Sequence, residues 1–240
     1  MDIERLRRAL PQRRIEYYEV VDSTMRAASG LETGSVVLAG EQTAGQGRHG
    51  HAWHSEVGSG IYCSLVLQPA PLLTLALGLA TAHAIASVTG AACDLRWPND
   101  IMLGERKVAG ILVQLVQGAA IAGIGINVNH TSFPAALEAE ATSLRLHTGR
   151  TWPREELLLA LLPAVEMFTR LDAPDILRLF QQASSYAAGR RVQVSQQDGV
   201  LEGVTAGLDS AGYLVVRRDD GTDTLIVAGG VRAAGAGCGQ

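Results

Sequence analysis

The 240-residue sequence predicts a mixed α/β chain that ends in a small antiparallel β unit. A content of 47% hydrophobic and 18% charged residues is that of a globular chain with one large core. Helix-like and strand-like segments alternate as far as residue 187, and beyond Gly189 the texture changes to short strands punctuated by DG, DSAG and DDG turns.

In chain order, MDIERLRRAL gives a short helix near 2–10 and RIEYYEVV (14–21) a strand; Asp22 or Ser23 can cap a helix running to Gly30. SVVLAGEQTA (35–44) and residues 60–68 are rich in β-branched and small apolar residues and read as strands. The longest apolar run, 71–90, is interrupted by His83, threonines and Ser87, and falls short of about 20 clean membrane-spanning residues. It reads as a buried core helix. After CDLRW (93–97), residues 101–128 form a meander: IML, a GER turn, KVAGILVQLVQ, Gly118 and AAIAGIGINVN. Alternation is weak in the last two strands, as in a sheet covered on both faces. Two helical stretches occupy 153–187, with Pro163 and Pro174 as local complications. The final strands suggest a small barrel of about 45 residues. The expected division is a main domain at 1–187, a β unit at 188–234 and a flexible tail at 235–240.

Composition excludes several classes. A net charge of −4 argues against a dedicated nucleic-acid binder, which needs a basic excess to neutralise phosphates. Cys63, Cys93 and Cys238 leave at least one thiol unpaired and lack C-x-x-C spacing, and the N-terminus has no apolar signal region; a cytoplasmic protein, away from membranes, is expected.

GQGRHG (45–50) fits G-x-G-x-x-G, the spacing that cradles a dinucleotide's pyrophosphate between a strand and a helix. A strand precedes it, but HAWHSEVGSG follows with no helical period, and no acidic residue lies between Glu56 and Asp94 to hold a ribose. The glycines therefore serve another close approach of backbone to ligand, and Arg48, His49 and His51 suggest an anion.

Four islands, DST (22–24), EQTAGQGRHGHAW (41–53), RWPND (96–100) with KVAGIL (107–112), and GIGINVN (123–129), closely resemble in this order the biotin protein ligases, over roughly residues 14–232. The resemblance implies an α/β (α+β) fold of the class II synthetase-like type, a mixed, largely antiparallel sheet with packed helices plus a small SH3-like C-terminal barrel. It implies formation of biotinyl-5'-AMP from biotin and ATP with Mg2+, then transfer of biotin to a lysine of the biotin carboxyl carrier protein of acetyl-CoA carboxylase. Only about 13 residues precede the first strand, so the helix-turn-helix of bifunctional members is expected to be absent, and with it DNA binding. A homodimer is open. A lipoate or octanoate transferase of the same superfamily is the nearest rival, and it lacks the loop with Arg48. A non-enzymatic biotin or nucleic-acid binding module is a more distant one.

In the implied first step a carboxylate meets a triphosphate. A like-charged pair at about 4 Å costs roughly 4 kcal/mol at an effective dielectric near 20, about a thousandfold in rate, so fixed cations and backbone N–H groups must offset it. The resemblance puts Arg48 on the carboxylate and phosphate, Lys107 on biotin's carboxylate, and Asp100 against the incoming amine as the catalytic set. It puts Ser23, Thr24, Met25, Gln42, Gln46, Gly47 and Gly110 around biotin, and His51, Trp53, Asn99 and Asn127 with Arg48 around ATP. Read from the residues alone, Ser23 and Thr24 are a helix cap, Trp53 a core side chain, Asn99 and Asp100 turn formers and Asn127 a strand-end asparagine. Met25 replaces a frequent asparagine, and Gln46, His49 and His51 replace loop arginines. His49, His51 and His54 form H-x-H-x-x-H, but no cysteine or carboxylate cluster completes a transition-metal site, and no metal held by protein side chains is expected.

Overall fold

The computed structural model describes residues 1–196 and 199–234. The tail from 235 to 240, with Cys238, lies outside the described residues.

Strands β1 (Ile15–Val21), β2 (Val36–Gln42), β3 (Gly60–Leu67), β4 (Asp94–Arg96), β5 (Asp100–Leu103), β6 (Arg106–Val116) and β7 (Ala119–Asn127) form one sheet in the order β1-β2-β3-β7-β6-β5-β4. Only β1 and β2 run parallel, which requires a crossover. Helix α2 (Thr24–Ala28) lies in that connection.

Side-chain alternation sorts the sheet into two faces. Val36, Leu38, Ile61, Cys63, Leu65, Ala122, Ile124 and Ile126 join the large core. Helices α3 (Leu73–Thr89) and α6 (Arg154–Thr169) pack together over that face, with α1 (Ile3–Ala9) and α7 (Ala173–Gln182) beside them. On the opposite face Val37, Val66 and Ile121 form a small cluster with Met25 and Ala28 of α2, with Leu31, Leu112 and Val116 packed against it. There β6 and β7 put glycines between their large residues: Gly110, Gly123 and Gly125 alternate with Ile111, Ile124 and Ile126, and Gly110 pairs with Gly125. The weak alternation of GIGIN in the sequence is thus a strict one of large against small, and the small side is a floor.

Pro163 sits inside α6 without ending it. Burial of Leu157, Leu158, Leu161 and Leu162, at about 1.5–3 kcal/mol each, outweighs the roughly 3 kcal/mol that an interior proline costs. Pro174 falls in the first turn of α7, where its missing N–H is no loss, and Asp172 caps the helix by accepting from the Asp175 N–H at 2.9 Å. Two short helices, α4 (Ala135–Glu138) and α5 (Leu144–Thr148), had no sequence signal, being too short to show a period.

The second sheet contains β8 (Ala188–Gln196), β9 (Gly199–Leu208), β10 (Leu214–Arg217), β11 (Asp223–Ile226) and β12 (Gly230–Ala233), all antiparallel, in the order β11-β10-β9-β8-β12. The small antiparallel unit is present as expected, but β11 and β12 stay unpaired edges among the described residues, so no closed barrel forms. It docks on the β4–β5 end of the first sheet. Trp97 Nε1 donates to the Gly212 carbonyl at 2.9 Å, Arg190 pairs with Glu105 at 2.9 Å, and Arg232 of β12 pairs with Glu140 at 2.8 Å.

Candidate active site

The loop between β2 and β3 folds back as a narrow hairpin over the glycine floor. Gln46 bridges to Ala52, the Trp53 N–H donates to the Gly45 carbonyl at 2.9 Å, and a 3-10 turn at Arg48–Gly50 closes the tip. A Cβ on Gly45 would lie 2.9 Å from the Trp53 carbonyl oxygen and one on Gly47 3.1 Å from that of His51. The close approach expected between these glycines and a ligand is here an approach of the loop to its own returning arm. The outgoing arm is pinned lower down: Tyr62 Oη donates to the Glu56 carbonyl at 2.8 Å and Arg154 to that of Gly60 at 3.1 Å.

Two adjoining cavities lie under this loop. The smaller, about 50 Å³, is lined by Ser23, Thr24, Met25, Gln42, Gln46, Gly47 and the glycine floor. The larger, about 350 Å³, is lined by His51, His54, Asp100, Asn127, Phe133 and Arg232 among others. Arg48, Trp53, Asn99 and Lys107 border both and mark the junction. The smaller space is small because Trp53 fills it. A Cβ on Gly125 would fall 2.4 Å from the Trp53 ring and one on Gly110 2.9 Å from it, so the indole rests on backbone that no side chain could share. Trp53 Nε1 is buried without a partner. Placed this way, Trp53 covers the floor of the smaller cavity and borders the larger one.

At the end remote from the junction the polar groups are partly committed. Gln42 Oε1 accepts from the Thr24 N–H at 2.8 Å and from Thr24 Oγ1 at 3.0 Å, and Thr24 Oγ1 lies 2.8 Å from Ser64 Oγ. Ser23 stands at the N-cap of α2, but its hydroxyl makes no capping bond. At 1% exposure its Oγ is buried with no partner at all, a state that costs about 1–3 kcal/mol. The reading of Ser23 as a cap by its side chain therefore fails.

At the junction Arg48 Nη1 donates to Asn99 Oδ1 at 2.7 Å, and Asn99 Nδ2 to the Ile111 carbonyl at 2.9 Å. Asp100 lies between two cations, with Oδ1 2.5 Å from Lys107 Nζ and Oδ2 2.7 Å from Arg96 Nη2. Burial pushes the Asp100 carboxyl up, but the charges of Lys107 and then Arg96, with their hydrogen bonds, outweigh it and hold it below the usual carboxylate value. Burial lowers the Arg48 guanidinium from its usual value, and the Asp100 carboxylate pulls the other way. Three cations against one carboxylate make this junction positive, with Lys107 Nζ 5.4 Å from the Trp53 ring centre.

Lys107 follows the β5–β6 turn at Gly104 and is fixed by its backbone: its N–H donates to the Glu140 carbonyl and its carbonyl accepts from Thr142. Asn127 ends β7 and spends its Nδ2 on the Thr142 carbonyl at 3.1 Å, a structural bond within the cavity wall. His51 is exposed at the rim. His54 turns toward His130 and Phe133, and among the described residues no group of three or more His, Cys, Asp or Glu is placed to hold a metal. The Trp97–Pro98 peptide is cis. Sequence reasoning overlooked Ser64, Arg96, Gly123 and Gly125. The glycines could have been found from the two-residue period of GIGIN, and Ser64 only from strand register.

Residues 17–130 match the family described as Biotin/lipoate A/B protein ligase family, and residues 188–231 the Biotin protein ligase C terminal domain. A biotin--[acetyl-CoA-carboxylase] ligase of Mycobacterium tuberculosis is 34% identical over 224 residues, covering 87% of this chain and 82% of that protein. The bifunctional ligase/repressor BirA of Bacillus spizizenii is 32% identical over 235 residues, 88% of this chain and 72% of that one. The fold superposes on a biotin protein ligase from Aquifex aeolicus in complex with biotin and ATP with a TM-score of 0.82 and 30% identity, covering 91% of this chain and 97% of the other. No helix among the described residues is long and apolar enough to cross a membrane.

Proposed function

We propose, from the premise that the chain belongs to the biotin protein ligase family, that this ligase joins biotin to ATP and then passes the biotinyl group to a carrier lysine. The observation that carries the placement is the polarity of the smaller cavity. Its closed end holds the unpaired Ser23 hydroxyl beside Thr24 and Gln42, its middle is glycine and Met25, and its open end is Lys107 and Arg48. A ligand with a hydrogen-bonding head, an apolar body and a carboxylate tail fits that order. Biotin's ureido ring would satisfy Ser23, and its carboxylate would reach Lys107 at the junction. Lipoate and octanoate have no head group to pair with the buried hydroxyl.

The nucleotide occupies the larger cavity. Arg48 and Lys107, with the loop N–H groups, neutralise the meeting of carboxylate and α-phosphate; Asn99, already oriented by the Ile111 carbonyl, presents Arg48 to it. ATP enters as its magnesium complex with the metal on phosphate oxygens, since Asp100, the carboxylate at the junction, is committed to Lys107 and Arg96. Trp53 leaves the glycine floor when biotin arrives and turns toward the adenine, with His51 at the rim and Asn127 in the wall. The carboxylate attacks the α-phosphorus and pyrophosphate departs. The carrier lysine then attacks the acyl carbon, AMP leaves, and Asp100 orients the amine.

We assign residues 1–187 to the catalytic domain and 188–234 to the smaller domain, and take the acceptor to be the biotin carboxyl carrier protein of acetyl-CoA carboxylase. The two thiols Cys63 and Cys93 are free, in keeping with a cytoplasmic setting. ATP–pyrophosphate exchange with biotin, lipoate and octanoate side by side tests the reading: exchange with biotin alone is expected, and exchange driven by octanoate and not biotin overturns it.

A further inference from the structure

Lys107 is the chain's single lysine; the other 19 of its 20 lysine and arginine residues are arginine. Any enzyme that builds an acyl-phosphate anhydride builds a reagent for amines. A guanidinium stays protonated and has no nucleophilic lone pair, so arginines supply positive charge without supplying an acceptor. The one side-chain amine in the chain stands at the junction of the two cavities, where the proposed function puts the acyl carbon.

That amine is held in a particular way. Asp100 Oδ1 lies 2.5 Å from Lys107 Nζ, and the other carboxylate oxygen is fixed by Arg96 at 2.7 Å, so the carboxylate cannot swing away without leaving two cations unbalanced. Besides Asp100, the charged side chains around the cavity that Lys107 borders are Arg48, Arg96, Arg232 and Glu140, and the Glu140 carboxylate is taken up by Arg232 at 2.8 Å. The ion pair holds Nζ against the carboxylate with one of its protons engaged, and removing Asp100 removes that hold.

We infer that Asp100 is a positioning residue that holds Lys107 Nζ in an ion pair, and thereby prevents the enzyme from acylating its only lysine with its own adenylate. This rests on the function proposed above. The reaction suppressed is a complete aminolysis. The Nζ lone pair attacks the acyl carbon, the bond from that carbon to the phosphate oxygen breaks with its electron pair leaving on AMP, and the nitrogen's proton passes to water. The product is an amide that has consumed the cation meant to hold biotin's carboxylate, so the event inactivates the enzyme.

The experiment incubates the full chain with biotin and magnesium-ATP and no carrier, followed by intact mass and peptide mapping. A parallel arm supplies chemically prepared biotinyl-5'-adenylate in large excess, which removes any dependence on the first step. Wild type is expected to show no biotinyl group on Lys107. Asp100→Asn should gain one there at least about tenfold faster, once the charge-assisted bond to Nζ is gone. Asp100→Glu, which restores a carboxylate, should fall back toward wild type, and Lys107→Arg should take no label. Asp100→Asn left unlabelled in the supplied-adenylate arm, or wild type labelled at Lys107 equally fast, overturns the inference. Wild type that forms no adenylate from biotin and ATP overturns the proposed function instead.

Discussion

Replacing Ser23 with alanine is expected to stabilise the ligand-free protein while weakening its hold on biotin. The hydroxyl is 1% exposed, has no hydrogen-bond partner, and borders the smaller cavity. Burying such a group unpaired costs about 1–3 kcal/mol, against about a few tenths of a kcal/mol for the void left by one missing oxygen. A net gain of about 1 kcal/mol raises the melting temperature by roughly 2–4 °C in a chain of this size. With biotin bound, the hydroxyl gains a partner and the sign reverses: losing that bond costs about 1–2 kcal/mol, roughly 5- to 30-fold in Kd. Thermal unfolding without ligand and calorimetric titration with biotin measure the two halves separately. Ser64→Ala is the internal control, because its equally buried hydroxyl lies 2.8 Å from that of Thr24 and its loss should destabilise the free protein. A Ser23→Ala protein that melts lower than wild type, or binds biotin unchanged, refutes the reasoning.

Lys107→Ala should lower biotin-dependent pyrophosphate exchange about a hundredfold or more with the fold intact, since Arg96 still balances Asp100; near-normal exchange would remove Lys107 from the site. Residues 45–55 should gain amide protection on adding biotin and ATP, while 56–60, tied by Tyr62 and Arg154, change little; equal protection along the whole loop in both states would contradict a closing hairpin. Arg48→Gly should release adenylate to bystander lysines, read by labelling of an added lysine-rich protein, and tight retention would deny Arg48 the clamping role. Burial, opposed by Glu56 and assisted by His54, lowers the fully buried His130 from 6.5 to about 4. The unfolded chain then binds the extra proton between those values, so stability is whole above about pH 6.5 and falls by up to roughly 3 kcal/mol as pH drops to about 4. Urea unfolding should show that slope reduced in His130→Gln; an unchanged slope would mean that His130 titrates normally.

The local alphabet of this chain is legible without coordinates. Strand composition placed β1, β2 and β3, and long, largely apolar runs placed α3 and α6, because a helix or strand that buries a face must write that face in its sequence. The small antiparallel unit after Gly189 announced itself by its turns, of which the DSAG and DDG glycines, Gly212 and Gly221, take positive φ. The residues that line the two cavities, Ser23, Gln42, Arg48, Asn99 and Lys107 among them, were named through the four-island resemblance, while the residues alone pointed only to an anion near Arg48.

What the sequence could not supply was which named residues already hold one another. Asp100 and Lys107 are seven positions apart, yet they meet through β5–β6 pairing across a bulge, which aims both into one junction. Whether the Ser23 hydroxyl caps its helix or waits unpaired depends on a dihedral and on what surrounds it, and Trp53 reaches the floor only because Gly110 and Gly125 are paired across two strands. Patterns of periodicity and propensity are properties of one segment and survive in the sequence. Partnership between segments is fixed by strand register and packing, and a one-residue slip in register would turn the glycine floor to the helices and the isoleucines to the ligand.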